Sequence, residues 1–320
     1  MISILMPFKN ERKHLPELMK SLLSQSYQDF ELIAIDDHSD DGSKEFLDSF
    51  NDLRIRTYLN KGHGIIDALR HALQYCKGSY ITRQDADDIM PLKKLESLRD
   101  HLIKFGPKTI VTGQVKYFSE QSLGEGHKKY EAWLNQVCEE SHFKKQIFKE
   151  CTVCSSNWMA YLSDFKKWNF FENLTYPEDY HLVFKWLESN FQIKALSEIT
   201  HLWRDHPQRA SRNLEQYKDQ KFYELKLDYL LKFHEGPFIV WGAGPKGKAL
   251  VKLLNKRSIA FKWVSGNPKK VGKSIYGHSI HHTDELKSFE ESTVLYCISQ
   301  KLLLDRSELI GPHHNLVDFI

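Results

Sequence analysis

Apolar and polar positions along the first hundred residues follow two rhythms. The continuous apolar runs Ile2–Phe8, Phe30–Ile35 and Ile55–Leu59 have the length and β-branched content of strands. Between them, Leu15, Leu18, Met19, Leu22 and Leu23 recur at helical spacing, as do Ile65, Ile66, Leu69, Leu73 and Cys76, and Lys44–Phe50 reads as a shorter helix. A fourth run opens at Tyr80 and stops in acid. After it, Pro91 introduces a helical period of Leu92, Leu95, Leu98 and Leu102. Strands alternating with helices predict βαβ units and a mostly parallel sheet. Short loops at one edge of that sheet bring residues 7–10, 36–43, 60–62 and 85–88 together.

Further on the pattern is less regular. Val111–Phe118 reads as a strand, Gly124–Tyr130 with Lys128 and Lys129 as a mobile polar loop, and Trp133, Val137 and Phe143 as helical cover over the loop edge. Tyr176-Pro177-Glu178-Asp179 opens a helix carrying Leu182, Val183, Trp186 and Leu187. Leu214–Phe233 reads as a connecting helix ended by Glu235-Gly236-Pro237, which divides the chain into residues 1–234 and 235–320. The second part begins with a strand, Phe238–Val240. A G-x-G-x-x-G turn of Gly242, Gly244 and Gly247 then opens a helix, a Rossmann-like start whose amides suit an anion.

The acid that would meet an NAD ribose after the next strand is missing, and Ser265-Gly266-Asn267 stands there. From Gly236 to Thr283 there is no Asp or Glu against nine Lys or Arg. NAD is therefore disfavoured. A phosphate-rich ligand, an anionic membrane surface or a purely structural contact remain open, and NADP is the one nicotinamide cofactor that this charge suits.

Composition narrows the class. The 320 residues suffice for two domains, and 41% hydrophobic with 27% charged residues is ordinary for a globular protein. A net charge of +3 implies no polyanion-binding field, so nucleic acid is not expected as a partner. No apolar stretch has the length of a membrane span and no leader-like segment opens the chain. The expected location is the cytoplasm, with contact at the cytoplasmic face of the membrane left open. Five cysteines at irregular spacing do not make a disulfide framework. The pair Cys151 and Cys154 reads as ordinary thiols, because no second pair completes a zinc site.

Candidate chemistry lies in the acids. Asp36 and Asp37 end one strand, and Asp85, Asp87 and Asp88 end another. Each cluster alone reads equally well as a solvated or capping turn. Two clusters at carboxyl ends of strands in one sheet stand where α/β sheets bind ligands, and crowded carboxylates call for a cation. Glu178 and Asp179 at a helix start suit the dipole as caps, or supply a general base.

The ordered set M-P-F-K-N-E, D-D-H-S-D-D-G-S, N-K-G, G-S-Y-I, D-A-D-D, Pro177-Glu178-Asp179 and Trp203-Arg204-Asp205-His206 resembles the family 2 glycosyltransferases of GT-A fold over about residues 1–230. The resemblance implies an α/β fold with a mostly parallel central sheet. It also implies transfer of a sugar from a nucleotide-diphosphate donor with Mn²⁺ or Mg²⁺, to a saccharide or lipid-linked acceptor in surface polysaccharide or glycoconjugate synthesis. By it Asp37 meets the base with Pro7 and Asn10 nearby, Asp85 lies by the ribose, and Asp87 ligates the metal. The E-D motif falls on Glu178 and Asp179, with Asp179 as the general base of an inverting displacement. Arg204 neutralises diphosphate charge and His206 is a second metal ligand. Cys154–Tyr161 becomes the strand beneath the acceptor pocket, where Trp158 either stacks on a sugar or belongs to the core. Two positions depart from the family, His38 for glycine and Gln84 for leucine. The competing readings are a non-catalytic nucleotide-sugar-binding module and a bifunctional or regulatory protein with a ligand-binding C-terminal part. A homodimer is left open.

Overall fold

The structure is a computed structural model that describes residues 1–120, 122–209, 213, 215–298, 309–310 and 312–319. Contacts divide it into two units, one of Met1–Lys144 with Cys151–Tyr217, the other of Lys145–Glu150 with the residues from Lys218 onward.

The first unit is built on seven strands: β1 (Ile2–Phe8), β2 (Phe30–Asp36), β3 (Ile55–Leu59), β4 (Tyr80–Arg83), β5 (Thr109–Phe118), β6 (Trp158–Tyr161) and β7 (Gln192–Arg204). They lie in the order β3-β2-β1-β4-β6-β5-β7. The pairs β1–β2, β2–β3, β1–β4 and β5–β7 are parallel, and only β6 runs against its neighbours. Every residue of β1 and β2 is buried, as expected of parallel strands covered on both faces. The helix Leu15–Leu23 turns Leu15, Leu18, Met19 and Leu22 inward, and Lys94–Phe105 does the same with Leu95, Leu98 and Leu102. Leu92 stands before that helix and is 58% exposed, so the apolar period begins one turn later than expected.

Two sequence readings change here. Gly124–Tyr130 is not a loop, because a helix runs through Glu125–Glu140 and buries Leu134, Val137 and Cys138. Its charged early turns hide an apolar face that begins only later in the segment. Trp158 belongs to the core: it is 1% exposed, stacked on Phe165 at 5.0 Å and edge-on to Trp186 at 5.5 Å. All five cysteines are free and buried.

The long β5–β7 pair slips in register around Gly113 and Gln114. Asn157 repairs the gap, donating to the Gly113 carbonyl at 2.7 Å and accepting from Thr200 Oγ1 at 2.7 Å. A Cβ on Gly113 would lie 2.4 Å from that hydroxyl, which explains the glycine.

The second unit contains the helix Asp219–Phe233, which the sequence reading had assigned to the first part; Leu214, the start of that reading, lies outside the described residues. Its six strands are β8 (Phe238–Trp241), β9 (Phe261–Ser265), β10 (Ser274–Ile275), β11 (His278–His282), β12 (Thr293–Tyr296) and β13 (Asn315–Asp318), ordered β10-β11-β9-β8-β12-β13. All pairs but β10–β11 are parallel. After β8, Gly242 takes φ 130° and a Cβ there would meet the Cys297 carbonyl at 2.8 Å. A Cβ on Gly247 would lie 2.0 Å from the Gly242 carbonyl, so strand end and helix touch through glycine alone. Gly244 precedes the helix Pro245–Lys256, whose first turn carries no acid.

Candidate active site

Because β1, β2 and β4 are parallel, their carboxyl ends share one edge of the sheet and the loops after Phe8, Asp36 and Arg83 meet there. Pro7 sits in β1 opposite Ile35, beyond Leu5, where the pairing with β4 stops, so its missing N–H breaks no ladder on that side. Asn10 adopts φ 57°. Its amide donates to Ser39 Oγ and its side-chain oxygen accepts from the Asp40 amide, both at 2.9 Å, which ties the β1 loop to the acidic turn. Asp36 is buried and accepts from the Ser39 amide at 2.9 Å. Asp37 takes the first amide of the helix Gly64–Tyr75, with Gly64 N at 2.9 and 3.0 Å from its two oxygens and Asn60 Nδ2 at 2.8 Å. The N-K-G turn and the D-D turn thus interlock.

The three acids after β4 have different surroundings. Asp85 accepts from Arg83 Nε at 2.7 Å and Ser155 Oγ at 3.0 Å, and its amide donates to Ser156 Oγ. Burial alone would raise its pKa, but the Arg83 charge and these hydrogen bonds hold the carboxyl below the usual carboxylate range. Asp88 is 1% exposed and faces His201 Nε2 at 3.0 Å and the Arg204 amide at 2.8 Å. Burial first, then the charges of Asp87 and Asp85, push it well up. Lys94, equally buried, donates to Gln84 Oε1 at 2.9 Å, the Ser156 carbonyl at 2.6 Å and His201 Nδ1 at 3.2 Å, and burial brings its ammonium down to about 8. Since Lys94 only donates, His201 Nδ1 accepts and Nε2–H points at Asp88. Gln84, the departure from leucine, is one of the acceptors that allow a lysine to be buried here. Asp88 is therefore a foundation beneath the loop, Asp85 is tied to Arg83, and Asp87 is the acid paired with His206.

Asp87 Oδ2 lies 3.0 Å from His206 Nε2, and this hydrogen bond is the main reason the imidazole pKa is raised. Arg204, expected to meet the diphosphate, is 5% exposed: its Nε donates to the Asp87 carbonyl at 2.6 Å, its amide binds Asp88, and the guanidinium stacks over Phe118 and reaches Glu17. It shapes the acid loop. Arg209, which sequence reading passed over, remains a cation near the same acids; burial opposes its charge, while Asp88, Tyr117 and Asp87 sustain it. A cleft of about 240 Å³ lined by Ser119, Ser122, Gly124, His127, Asp205, His206 and Pro207 opens beside the His206 ring.

Glu178 is 2% exposed and joined to Arg83 Nη1 at 3.1 Å and to the Tyr217 hydroxyl at 2.6 Å. Asp179, the next residue, accepts its neighbour's amide, Tyr180 N, at 2.8 Å. Burial and the adjacent Glu178 charge raise its pKa to about 7, against the pull of Arg83. Of the pair, Glu178 is fixed by cations and hydroxyls and Asp179 is poised to exchange a proton.

Arg83, Tyr217, Lys94, Glu11 and His14 also went unrecognised in the sequence. Arg83 and Lys94 carry a readable signal, a cation inside an otherwise apolar strand end or helix face, which demands buried acceptors. Glu11 closes the M-P-F-K-N-E motif but was assigned no role, and His14 carries no signal, since it looks like the polar start of an amphipathic helix. The glycines Gly242, Gly244 and Gly247 lie in the second unit.

Comparison with known proteins bears on the family and the fold. The family model described as glycosyl transferase family 2 matches residues 3–168. Glycosyltransferase GlyG of Streptococcus pneumoniae is 38% identical over 102 residues, 31% of this chain and 34% of that protein. The Escherichia coli UDP-Glc:alpha-D-GlcNAc-diphosphoundecaprenol beta-1,3-glucosyltransferase WfgD is 33% identical over 105 residues, 32% of this chain and 42% of that protein. These matches span between a third and half of the length of those curated relatives. The S. aureus TarS 1–349 structure in complex with UDP-GlcNAc superposes with a TM-score of 0.58 at 17% identity, over 80% of this chain and 72% of that one, and so shares the fold.

Proposed function

The chain belongs to glycosyl transferase family 2, and from that premise we propose that its first unit moves a sugar from a nucleotide-diphosphate donor to an acceptor hydroxyl, with inversion, in surface polysaccharide or glycoconjugate synthesis. The observation that carries the reading is Asp179, a carboxyl raised to about 7 and joined through Glu178 and Arg83 to Asp85 of the D-A-D-D turn. A weakly nucleophilic hydroxyl needs its proton removed as it attacks, and a base with a pKa near the working pH does this best. The acceptor oxygen would bond to the anomeric carbon while the bond to the diphosphate breaks, the leaving oxygen keeping the electron pair. The hydroxyl proton would pass to Asp179. Inversion follows from a single displacement, which needs no covalent intermediate on the protein.

On the donor side, Asp37, Pro7 and Asn10 would frame the base, and Asp85 would accept from the ribose. The residues also fit a divalent cation: ligands on one ion stand roughly 3 Å apart at right angles, and Asp87 Oδ2 and His206 Nε2 already lie 3.0 Å apart. A Mn²⁺ or Mg²⁺ ion held by Asp87 and His206 would supply positive charge against the donor diphosphate. Arg209 would add a fixed cation. The relative WfgD, by its name, uses a diphosphoundecaprenol-linked acceptor, and a lipid-linked acceptor would bring this chain to a membrane surface without crossing it; no helix among the described residues is long and apolar enough to span one. We assign the first unit to transfer and the second to an accessory role, contact or anion binding. A panel of nucleotide sugars, read first by thermal shift and then by transfer to lipid-linked saccharides, tests the reading. Stabilisation by none of them would refute it.

A further inference from the structure

We propose that His14 completes the cation site as a second imidazole ligand, so that the site is built for divalent transition-metal ions such as Mn²⁺ and Co²⁺ rather than for Mg²⁺. The inference rests on the reading of Asp87 and His206 as cation ligands. His14 lies at the entry to the helix Leu15–Leu23, 192 positions before His206 in the chain (206 − 14), yet the two rings are 4.7 Å apart. Ligand atoms of Glu11, His14 and His206 all fall within 4.8 Å of one another. Ligands about 2.1 Å from one ion are separated by roughly 3–4 Å, so small side-chain rotations bring the two imidazoles onto a single ion, with Glu11 behind His14.

The decisive atom is His14 Nε2. It is buried and has no hydrogen-bond partner among the described residues, while the residue as a whole is 7% exposed. Its other nitrogen, Nδ1, stands 2.7 Å from Glu11 Oε2. A carboxylate there keeps the ring proton on Nδ1 and leaves the lone pair on Nε2, the arrangement that orients histidine ligands in metal sites. In His206 it is Nε2 that faces a carboxylate, Asp87 at 3.0 Å, with Nδ1 3.4 Å from Gln208 Oε1, so a cation there would replace the proton that joins His206 to Asp87. A buried lone pair without a donor is costly in a purely structural role, because nothing replaces the water it gave up. A cation satisfies it. Two imidazoles with one carboxylate favour ions softer than Mg²⁺, which prefers oxygen ligands and retains its waters.

The test uses the full chain stripped of metal, with Mn²⁺ or Co²⁺ added, alone and with UDP, GDP or dTDP. Pulsed electron paramagnetic resonance of bound Mn²⁺ counts coordinated imidazole nitrogens and needs no variant: two are expected, and one overturns the proposal. His14→Ala should weaken Mn²⁺ and Co²⁺ binding by about ten-fold or more and remove one nitrogen signal, while Mg²⁺ binding changes by less than about two-fold. Unchanged Mn²⁺ affinity in His14→Ala, with loss in Asp87→Ala, rejects His14 and keeps the cation site. Absence of bound Mn²⁺ under every condition rejects both readings.

Discussion

Arg83 and Glu178 are 95 residues apart in the chain and 3.1 Å apart in space, and the same guanidinium holds Asp85 at 2.7 Å. One buried cation therefore fixes the acid turn on the donor side and the helix start that presents Asp179. Glu178 and Arg83 are both almost without solvent contact, so neither charge is supportable without the other.

Replacing Arg83 with Met should expose that dependence. Two acids lose their shared cation in a buried setting, a change that typically costs about 3–5 kcal/mol. Urea unfolding of Arg83→Met should show a loss of this size. A midpoint within error of wild type would show that the acids are held by other means.

Asp179→Asn keeps the shape of the side chain and cannot take a proton. Transfer should fall by roughly 10²–10⁴-fold while donor affinity stays close to wild type. Titration calorimetry with the donor, set beside initial rates, separates the two. Transfer at the wild-type rate would make Asp179 a helix cap.

The same carboxyl sets an expected pH profile. Its pKa in the folded chain is about 7, above the ordinary aspartate value, so the basic form appears as pH rises and kcat/KM should climb through that region. Stability moves the other way. Between the ordinary value and about 7 the folded state holds a proton that the unfolded state has released, so this group's contribution declines as pH rises across that window. In Asp179→Asn both the rise in rate and that share of the decline should vanish.

Asp87→Ala removes the one acid of the D-A-D-D turn that is neither bound to Arg83 nor buried against His201, and it frees His206 from its partner. Transfer should be lost, and wild-type activity should disappear in chelator and return with added divalent ion. Full turnover in chelator would rule out a role for the cation.

For the second unit the expected result concerns charge. The helix Pro245–Lys256 begins without an acid and Ser265 ends β9 where an NAD site would present one. Calorimetry of the full chain should show no NAD binding at micromolar concentrations, and weak, salt-sensitive binding of anionic vesicles or polyphosphate. Tight NAD binding with reduction of a sugar would make the protein bifunctional.

Much of this was legible in the sequence because the relevant physics is local. Apolar runs with two buried faces must be central strands, and β1 and β2 are. Helical periods of leucine mark inward faces, as in Lys94–Phe105. Acids placed just after such strands must lie at the sheet's carboxyl edge, since parallel strands point the same way, so Asp37, Asp85 and Asp87 could be named from spacing and resemblance. The polar segment Glu125–Tyr130 was misread because a solvated helix turn and a loop have the same composition.

Tertiary structure decided which partner each charged group meets. Asp85, Asp87 and Asp88 are nearly equivalent in sequence; Arg83 at the end of their own strand, His201 in β7 and His206 in the segment after β7 give them three different states. Arg204 turned inward to Glu17 and the Asp87 carbonyl because the Ile89–Leu202 bridge lays β7 against the acid loop. His14 found His206 for the same reason. Electrostatic interactions fall off over a few ångströms inside a protein, so they depend on distances that sequence separation does not encode. The chain order supplied the list of ionisable groups and the edge on which they gather, and the packing of β7 against that edge decided which of them face a ligand and which face each other.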